Sequence, residues 1–250
     1  DRPNLYYEVR PKGAKAANDR AIVQFIKGKS GKSGIIYVLS RKTAEEIAQL
    51  LNVNGIKAAP YHAGLDAHLR AKTQDDFLME EIDVVVATIA FGMGIDKSNV
   101  RYVVHYNLPK HIESYYQEIG RAGRDGLPSD TLLFYTFADL DMLRSFIADD
   151  DRKEIQLEKL KRMQEYAEAK ICRRKVLLNY FNEYHDQDCG NCDVCKNPPQ
   201  FFDATILAQK ALSAVARVQE RVGMGLLVDI LRGSHRKEIL EHGYDQIKTY

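Results

Sequence analysis

Short, unbroken apolar runs recur along the first 135 residues, and stretches with helical periodicity separate them. The runs are Leu5-Tyr6-Tyr7-Glu8-Val9, residues 35–39, 56–61, 84–87, 100–106 and 131–135. They are rich in Val, Ile, Leu and Tyr and too short for helices, so they read as strands. Between them, residues 21–26 form a helical patch, and residues 42–53 place Ala44, Ile47, Ala48 and Leu51 on one face. Residues 66–79 read as a helix capped by Asp66, and residues 111–122 as another. Strands that are apolar on both sides need cover on both faces, and strands joined through helices run parallel. The expected fold class is therefore α/β, a parallel sheet with helices on both faces. Such sheets bind ligands at the carboxyl ends of their strands.

After Asp139 the strands cease. Residues 152–184 are polar and helix-rich, with Leu157, Leu160, Met163, Tyr166 and Ala167 keeping an apolar face. They hold nine Lys/Arg against five Asp/Glu, which suits either a solvated helix face or a local basic footprint. Asn197-Pro198-Pro199 breaks the chain. Residues 205–219 and 225–231 read as two short helices followed by a polar tail, with no third helix reached.

All four cysteines fall between residues 172 and 195, spaced C-x16-C-x2-C-x2-C. Scattered structural disulfides do not cluster in this way, whereas a metal site in a reducing compartment does. Cys172, Cys189, Cys192 and Cys195 supply the four thiolates of a closed tetrahedral zinc site, with Gly190 and Asn191 allowing sharp turns. An iron–sulfur cluster also accepts four cysteines, and a lone C-x-x-C can be a redox pair. The third and fourth cysteines favour the zinc reading, and with no position left for a substrate the site is structural.

Net charge is only +1, so any nucleic-acid footprint has to be local. No apolar run approaches the roughly 18 residues of a membrane span, and no charged-then-apolar leader is present. The chain opens at Asp1 and stops at Tyr250 in mid-pattern, and it reads as an excised fragment. Gly31-Lys32-Ser33 imitates the end of a phosphate-binding loop. Ile26 stands where that loop needs glycine, and a strand follows rather than precedes it, so it reads as a surface turn.

Two further stretches carry chemistry. In Gln117-Glu118-Ile119-Gly120-Arg121-Ala122-Gly123-Arg124-Asp125-Gly126, the residues Gln117, Arg121 and Arg124 are spaced i, i+4, i+7 and are expected on one helix face. Two guanidiniums aimed one way can take up charge on a phosphoryl oxygen, or they can simply be a solvated helix end. Asp125-Gly126 is the expected helix stop. Residues 84–97 run from a buried strand into Gly92-Met93-Gly94-Ile95-Asp96, a loop able to present backbone N–H groups and Asp96 at the ligand edge.

In this order the motifs resemble the RecQ family of superfamily 2 helicases. The resemblance rests on YYQEIGRAGRDG at 115–126, the Gly94/Asp96 loop, Ser40-Arg41-Lys42, the segment 61–65, Cys172-Arg173-Arg174 and Asn191-Cys192-Asp193-Val194-Cys195. It covers residues 1 to about 245, with Asn4-Leu5 and residues 217–225 also similar.

The resemblance implies a second RecA-like domain over 1–148, a zinc-binding helical domain over 149–199 and a partial winged-helix (RQC) domain over 200–250. It implies Arg124 as arginine finger, Arg121 and Gln117 as further nucleotide contacts, and Gly94 and Asp96 as cofactor-binding. Ser40, His62 and Thr88 would contact single-stranded DNA. Implied ligands are Zn²⁺, ATP and Mg²⁺, and implied partners are single-stranded and forked DNA and the first RecA-like domain of the same protein. The implied location is the bacterial cytoplasm, at the nucleoid. The implied activity is ATP-dependent 3′–5′ unwinding in repair and recombination. The phosphate loop and acidic Mg²⁺ motif of that family are absent here, so the chain alone is expected to be inactive, with Arg124 pointing at solvent. The alternatives are a non-catalytic nucleic-acid-binding or scaffold protein on a degenerate helicase fold, and an RNA helicase.

Overall fold

The structure, a computed structural model, describes residues 1–88, 96–149 and 151–247. It contains two compact units, Asp1–Pro199 and Gln200–Tyr250. The strands are β1 (Leu5–Pro11), β2 (Ser33–Tyr37), β3 (Ala58–Tyr61), β4 (Val84–Ala87), β5 (Val100–His105) and β6 (Ser129–Tyr135). The first unit's helices are α1 (Lys15–Lys27), α2 (Arg41–Val53), α3 (Ala67–Leu78), α4 (Ile112–Ile119), α5 (Phe137–Ser145), α6 (Lys153–Glu168), α7 (Arg173–Tyr180) and α8 (Asp193–Lys196).

The six strands form one sheet in the order β1-β6-β5-β2-β4-β3, and every pairing is parallel. Successive strands β4 and β5 flank β2, so the chain changes direction across the sheet there. Such a switch point opens a crevice at the carboxyl edge. The two-residue period of a strand sorts the core into two layers. Ile36, Val84, Val86, Tyr102, Val104, Leu132 and Phe134 pack under α1 and α2. Ile35, Tyr37, Val85, Ala87, Val103 and Leu133 pack under α3, α4, α5 and α6. Gly34 is required in β2, because a Cβ there would stand 1.9 Å from the Tyr102 ring.

The second face does not stop at the sheet. Leu160, Met163 and Tyr166 of α6, Leu177 of α7, and Cys172 and Cys192 belong to the same buried cluster as Tyr7 and Tyr115. The helical segment and the cysteine loop therefore share a core with the sheet.

The second unit holds α9 (Thr205–Arg217), α10 (Met224–Leu231), α11 (Lys237–Glu241) and a 3-10 turn, Tyr244–Gln246. The expectation that no third helix is reached is corrected by α11. One of its residues, Ile239, is fully buried against Val218 and Ile230, and so short a helix leaves little periodicity to read. Phe201, Phe202, Ile206, Leu212 and Met224 remain exposed.

Candidate functional site

The carboxyl edge of the sheet gathers three of the expected DNA contacts. Ser40, His62 and Thr88 follow β2, β3 and β4, which are neighbours in the sheet. Ser40 also caps α2. Its hydroxyl oxygen accepts from the Thr43 amide at 3.0 Å and lies 2.7 Å from the Thr43 hydroxyl. His62 is buried, with Nε2 3.1 Å from Glu45 Oε1, and its Nδ1 has no hydrogen-bond partner among the described residues. Thr88 is half-buried, and its amide donates to the Tyr61 carbonyl at 3.1 Å. Gly94 lies outside the described residues, whereas Asp96, shortly before the start of β5, lies towards the amino edge with a 94% exposed side chain.

The arginine segment differs from the helix expected over 111–122. His111 caps α4, its Nδ1 accepting from the Ser114 amide at 3.1 Å, and the helix ends at Ile119 with Gly120 as C-cap. Arg121 and Arg124 therefore lie in the turns after the helix, not on its face, and Asp125-Gly126 is not its stop. Tertiary contacts end it. The Arg2 guanidinium donates to the carbonyls of Gly120 (3.1 Å), Ala122 (2.7 Å) and Gly123 (2.7 Å). Asn4 Nδ2 donates to Gly123 and Leu127 carbonyls, both at 2.9 Å. These carbonyls could not continue an α-helix and stay paired to a distant arginine. Gly123 adopts φ +57°, and a Cβ there would meet Asn4 at 2.5 Å and Ser129 at 2.7 Å. Arg101 and Asp125 form an ion pair that closes the turn, and the Arg101 hydrogen bond holds the Asp125 carboxyl below its ordinary range.

The turn aims its two arginines differently. Arg121 is half-buried, and its guanidinium opposes the burial that raises the pKa of the Tyr37 hydroxyl at the end of β2. Arg124, with a 37% exposed side chain, reaches Asp96 Oδ1 at 3.4 Å. Its side chain is exposed, in keeping with the expectation that it faces solvent. Its positive charge meets the Asp96 carboxylate by the amino ends of β5 and β6. Gln117 is exposed on the last turn of α4. Arg2, whose local context carries no motif signal, escaped sequence reasoning.

The four cysteine sulfurs lie within 4.8 Å of one another, and Cys189 and Cys195 are 3.8 Å apart. A tetrahedron with zinc–sulfur bonds of about 2.3 Å has sulfur–sulfur edges of about 3.8 Å, so the cluster fits that ion. Backbone amides point at the sulfurs. Cys189 donates to Cys172 at 3.3 Å, Asn191 to Cys189 at 3.3 Å and Cys195 to Cys192 at 3.4 Å. Burial opposes a thiolate at Cys172, but the Cys189 and Lys175 amides overcome it and lower its pKa. Burial raises Cys195 to about 11.

The loop is bolted to the sheet's edge strand. Asp193 accepts from the Val9 amide at 2.9 Å and from Arg173 Nε at 2.6 Å. Arg173 also donates to the Tyr166 carbonyl at 2.9 Å, and Arg174 to the Leu5 carbonyl at 2.9 Å. Both arginines are buried. They add nothing to a solvated basic face.

The fold and these two sites define a class of protein: a helicase C-terminal domain of the RecA-like type, joined to a zinc-binding module. Three family models match in succession, the helicase conserved C-terminal domain over 17–126, the RecQ zinc-binding domain over 137–196 and the RQC domain over 198–250. The chain is 44% identical to the ATP-dependent DNA helicase RecQ of Haemophilus influenzae, a match covering 100% of this chain and 40% of that protein. It is 40% identical to the protein of the same name from Bacillus subtilis, over 100% of this chain and 42% of that one. It therefore spans about two fifths of the length of these relatives. Among solved structures it is similar to Escherichia coli DEAD-box protein SrmB bound to regulator of ribonuclease activity A. That match has a TM-score of 0.50 at 20% identity, covers 58% of this chain and 86% of that one, and shows likeness of fold alone.

The chain belongs to the RecQ helicase family, of which it carries the C-terminal region, with a four-cysteine structural zinc centre.

Proposed function

We propose that this chain forms the C-terminal half of the motor of an ATP-dependent 3′–5′ DNA helicase acting in repair and recombination, in the cytoplasm at the nucleoid. The supporting observation is the arginine turn, which Arg2 and Asn4 fix by the amino ends of β5 and β6 and which brings Arg124 to Asp96, while Ser40, His62 and Thr88 gather at the carboxyl edge. ATP and Mg²⁺ bind between this sheet and a first RecA-like domain, which brings the phosphate loop. Arg124 leaves Asp96, reaches across as the finger and takes up charge developing on the γ-phosphate oxygens. Arg121 and Gln117 make further contacts in the same cleft, and Gly94 and Asp96 are its cofactor-binding residues. Zinc, when bound, supplies a fixed tetrahedral clamp for the loop and no reactive position.

The DNA contacts are to the backbone of a single strand. Ser40 and Thr88 offer hydroxyls and His62 an imidazole, groups that position phosphates without reading bases. Closing on ATP and opening after hydrolysis shifts this grip along the strand. The zinc and RQC segments engage the duplex ahead, so single-stranded and forked DNA are the substrates.

The test is Arg124→Ala in the full-length protein. It should retain nucleotide binding, read with a fluorescent ATP analogue, and lose DNA-stimulated hydrolysis. Removing such a finger costs roughly three to five powers of ten in GTPases, so even a fraction is measurable. Near-normal turnover would remove Arg124 from the role.

A further inference from the structure

Residues 2–5 tie the arginine turn to the cysteine loop. On one side, Arg2 donates from Nη1 to the Gly120 carbonyl at 3.1 Å and from Nη2 to the Ala122 and Gly123 carbonyls, both at 2.7 Å. Asn4 Nδ2 donates to the Gly123 and Leu127 carbonyls, both at 2.9 Å. On the other side, Arg174 Nη2 donates to the Pro3 carbonyl at 3.3 Å and the Leu5 carbonyl at 2.9 Å. Asn191 Nδ2 donates to the same two carbonyls at 3.3 Å each. Residues 2 and 4 thus hold the turn, while residues 3 and 5 are held by the zinc-binding segment.

Each carbonyl that Arg2 engages belongs to a planar peptide group. The Gly120 carbonyl shares its plane with the Arg121 amide, and the Gly123 carbonyl with the Arg124 amide. Arg2 therefore fixes the peptide groups from which both arginines spring. The Gly123 oxygen is held twice, by Arg2 and Asn4, and the Gly123 amide donates to the Val100 carbonyl at 2.8 Å. Carbonyls just past a helix end favour a cation, and a guanidinium presents several donors in one rigid plane, which an ammonium does not.

We propose that Arg2 is a positioning residue for ATP hydrolysis, orienting Arg121 and Arg124 by fixing the peptide groups that carry them. The proposal rests on the reading of this turn as nucleotide-facing. Arg2 touches no expected ligand. Its own main chain is braced by Arg174 and Asn191, so the zinc-binding segment steadies the turn through residues 3 and 5. A guanidinium must be aimed to serve a phosphoryl group, and a small misplacement slows the reaction steeply.

The experiment is steady-state DNA-stimulated ATP hydrolysis by the full-length protein carrying Arg2→Ala, Arg2→Lys, Arg124→Lys or Arg2→Lys with Arg124→Lys. Arg2→Ala and Arg2→Lys should each lower kcat roughly tenfold, with KM for ATP and binding of a fluorescent ATP analogue near wild type. Arg2→Lys keeps the charge but not the fork, so its thermal midpoint should stay near wild type, and it carries the test if Arg2→Ala does not fold. The double variant should lose less than the product of the two single losses, because Arg2 acts through the arginine. Wild-type kcat in either Arg2 variant, or losses that multiply in the double variant, would overturn the proposal while Arg124→Lys remains impaired. So would a lowered thermal midpoint with weakened analogue binding in Arg2→Lys, which would leave Arg2 a purely structural part. An unimpaired Arg124→Lys would instead defeat the nucleotide-facing reading of the turn, and this proposal with it.

Discussion

Glu113 shows how one side chain ties the two parts of the first unit together. It sits in the first turn of α4 and accepts from Lys159 of α6 at 2.8 Å, and the Tyr180 hydroxyl of α7 also favours its charged form. Burial pushes its carboxyl up, but these bonds outweigh burial and bring it down to about 2 from an ordinary 4.5. A carboxyl lowered on folding stabilises the fold fully above its unfolded value, and that contribution fades as pH falls from 4.5 toward 2. The side chain is 36% exposed, so solvent screening limits the effect to about 1 kcal/mol or less. Glu113→Gln should therefore lower urea-denaturation stability by about that amount at pH 7 and by nothing at pH 2. An equal loss at both values would show that packing, not charge, is at stake. The arginines teach a related lesson about legibility. Their residue types and spacing were readable, but their geometry was not. The i, i+4, i+7 reading assumes a helix, and the contacts that end it come from Arg2 and Asn4, more than a hundred residues away.

At the scale of elements, the sheet was the most legible part. Its strands are runs of β-branched and aromatic residues buried on both faces, and such runs have few other places to go. The cysteine centre was legible because metal chemistry fixes ligand type, number and spacing. What the sequence could not show is where that centre docks. Arg173 and Arg174 are counted among basic residues in the sequence but are spent on buried carbonyls and Asp193. The cysteine loop backs onto β1, with Tyr7 and Cys192 bridged in parallel and the Val9 amide held by Asp193. Zinc removal should therefore reach beyond the zinc-binding segment expected over 149–199 and loosen the edge strand. Chelation, or Cys192→Ser, should increase amide exchange in residues 185–197 and 5–9 together, while β4 and β5 stay protected. Exchange confined to the cysteine loop would contradict a shared core.

For the whole molecule, the sequence motifs and the structure agree on one asymmetry. Among the described residues, the sheet gathers hydroxyls and a histidine at its carboxyl edge and holds two arginines in the turn before β6, with no phosphate loop. Gly31-Lys32, the nearest imitation, lies at the amino edge in the turn that leads into Ser33, the first residue of β2. No described helix is long and apolar enough to cross a membrane. Among its described residues the second unit has a small core of Val218, Ile230 and Ile239. The central claim is that this chain is half of a shared ATP site. The most direct measurement compares DNA-stimulated ATP hydrolysis by residues 1–250 alone with hydrolysis by the same residues joined to the first RecA-like domain. The account predicts steady turnover in the joined protein and none above a mock preparation in the chain alone. Steady turnover by residues 1–250 alone would contradict it.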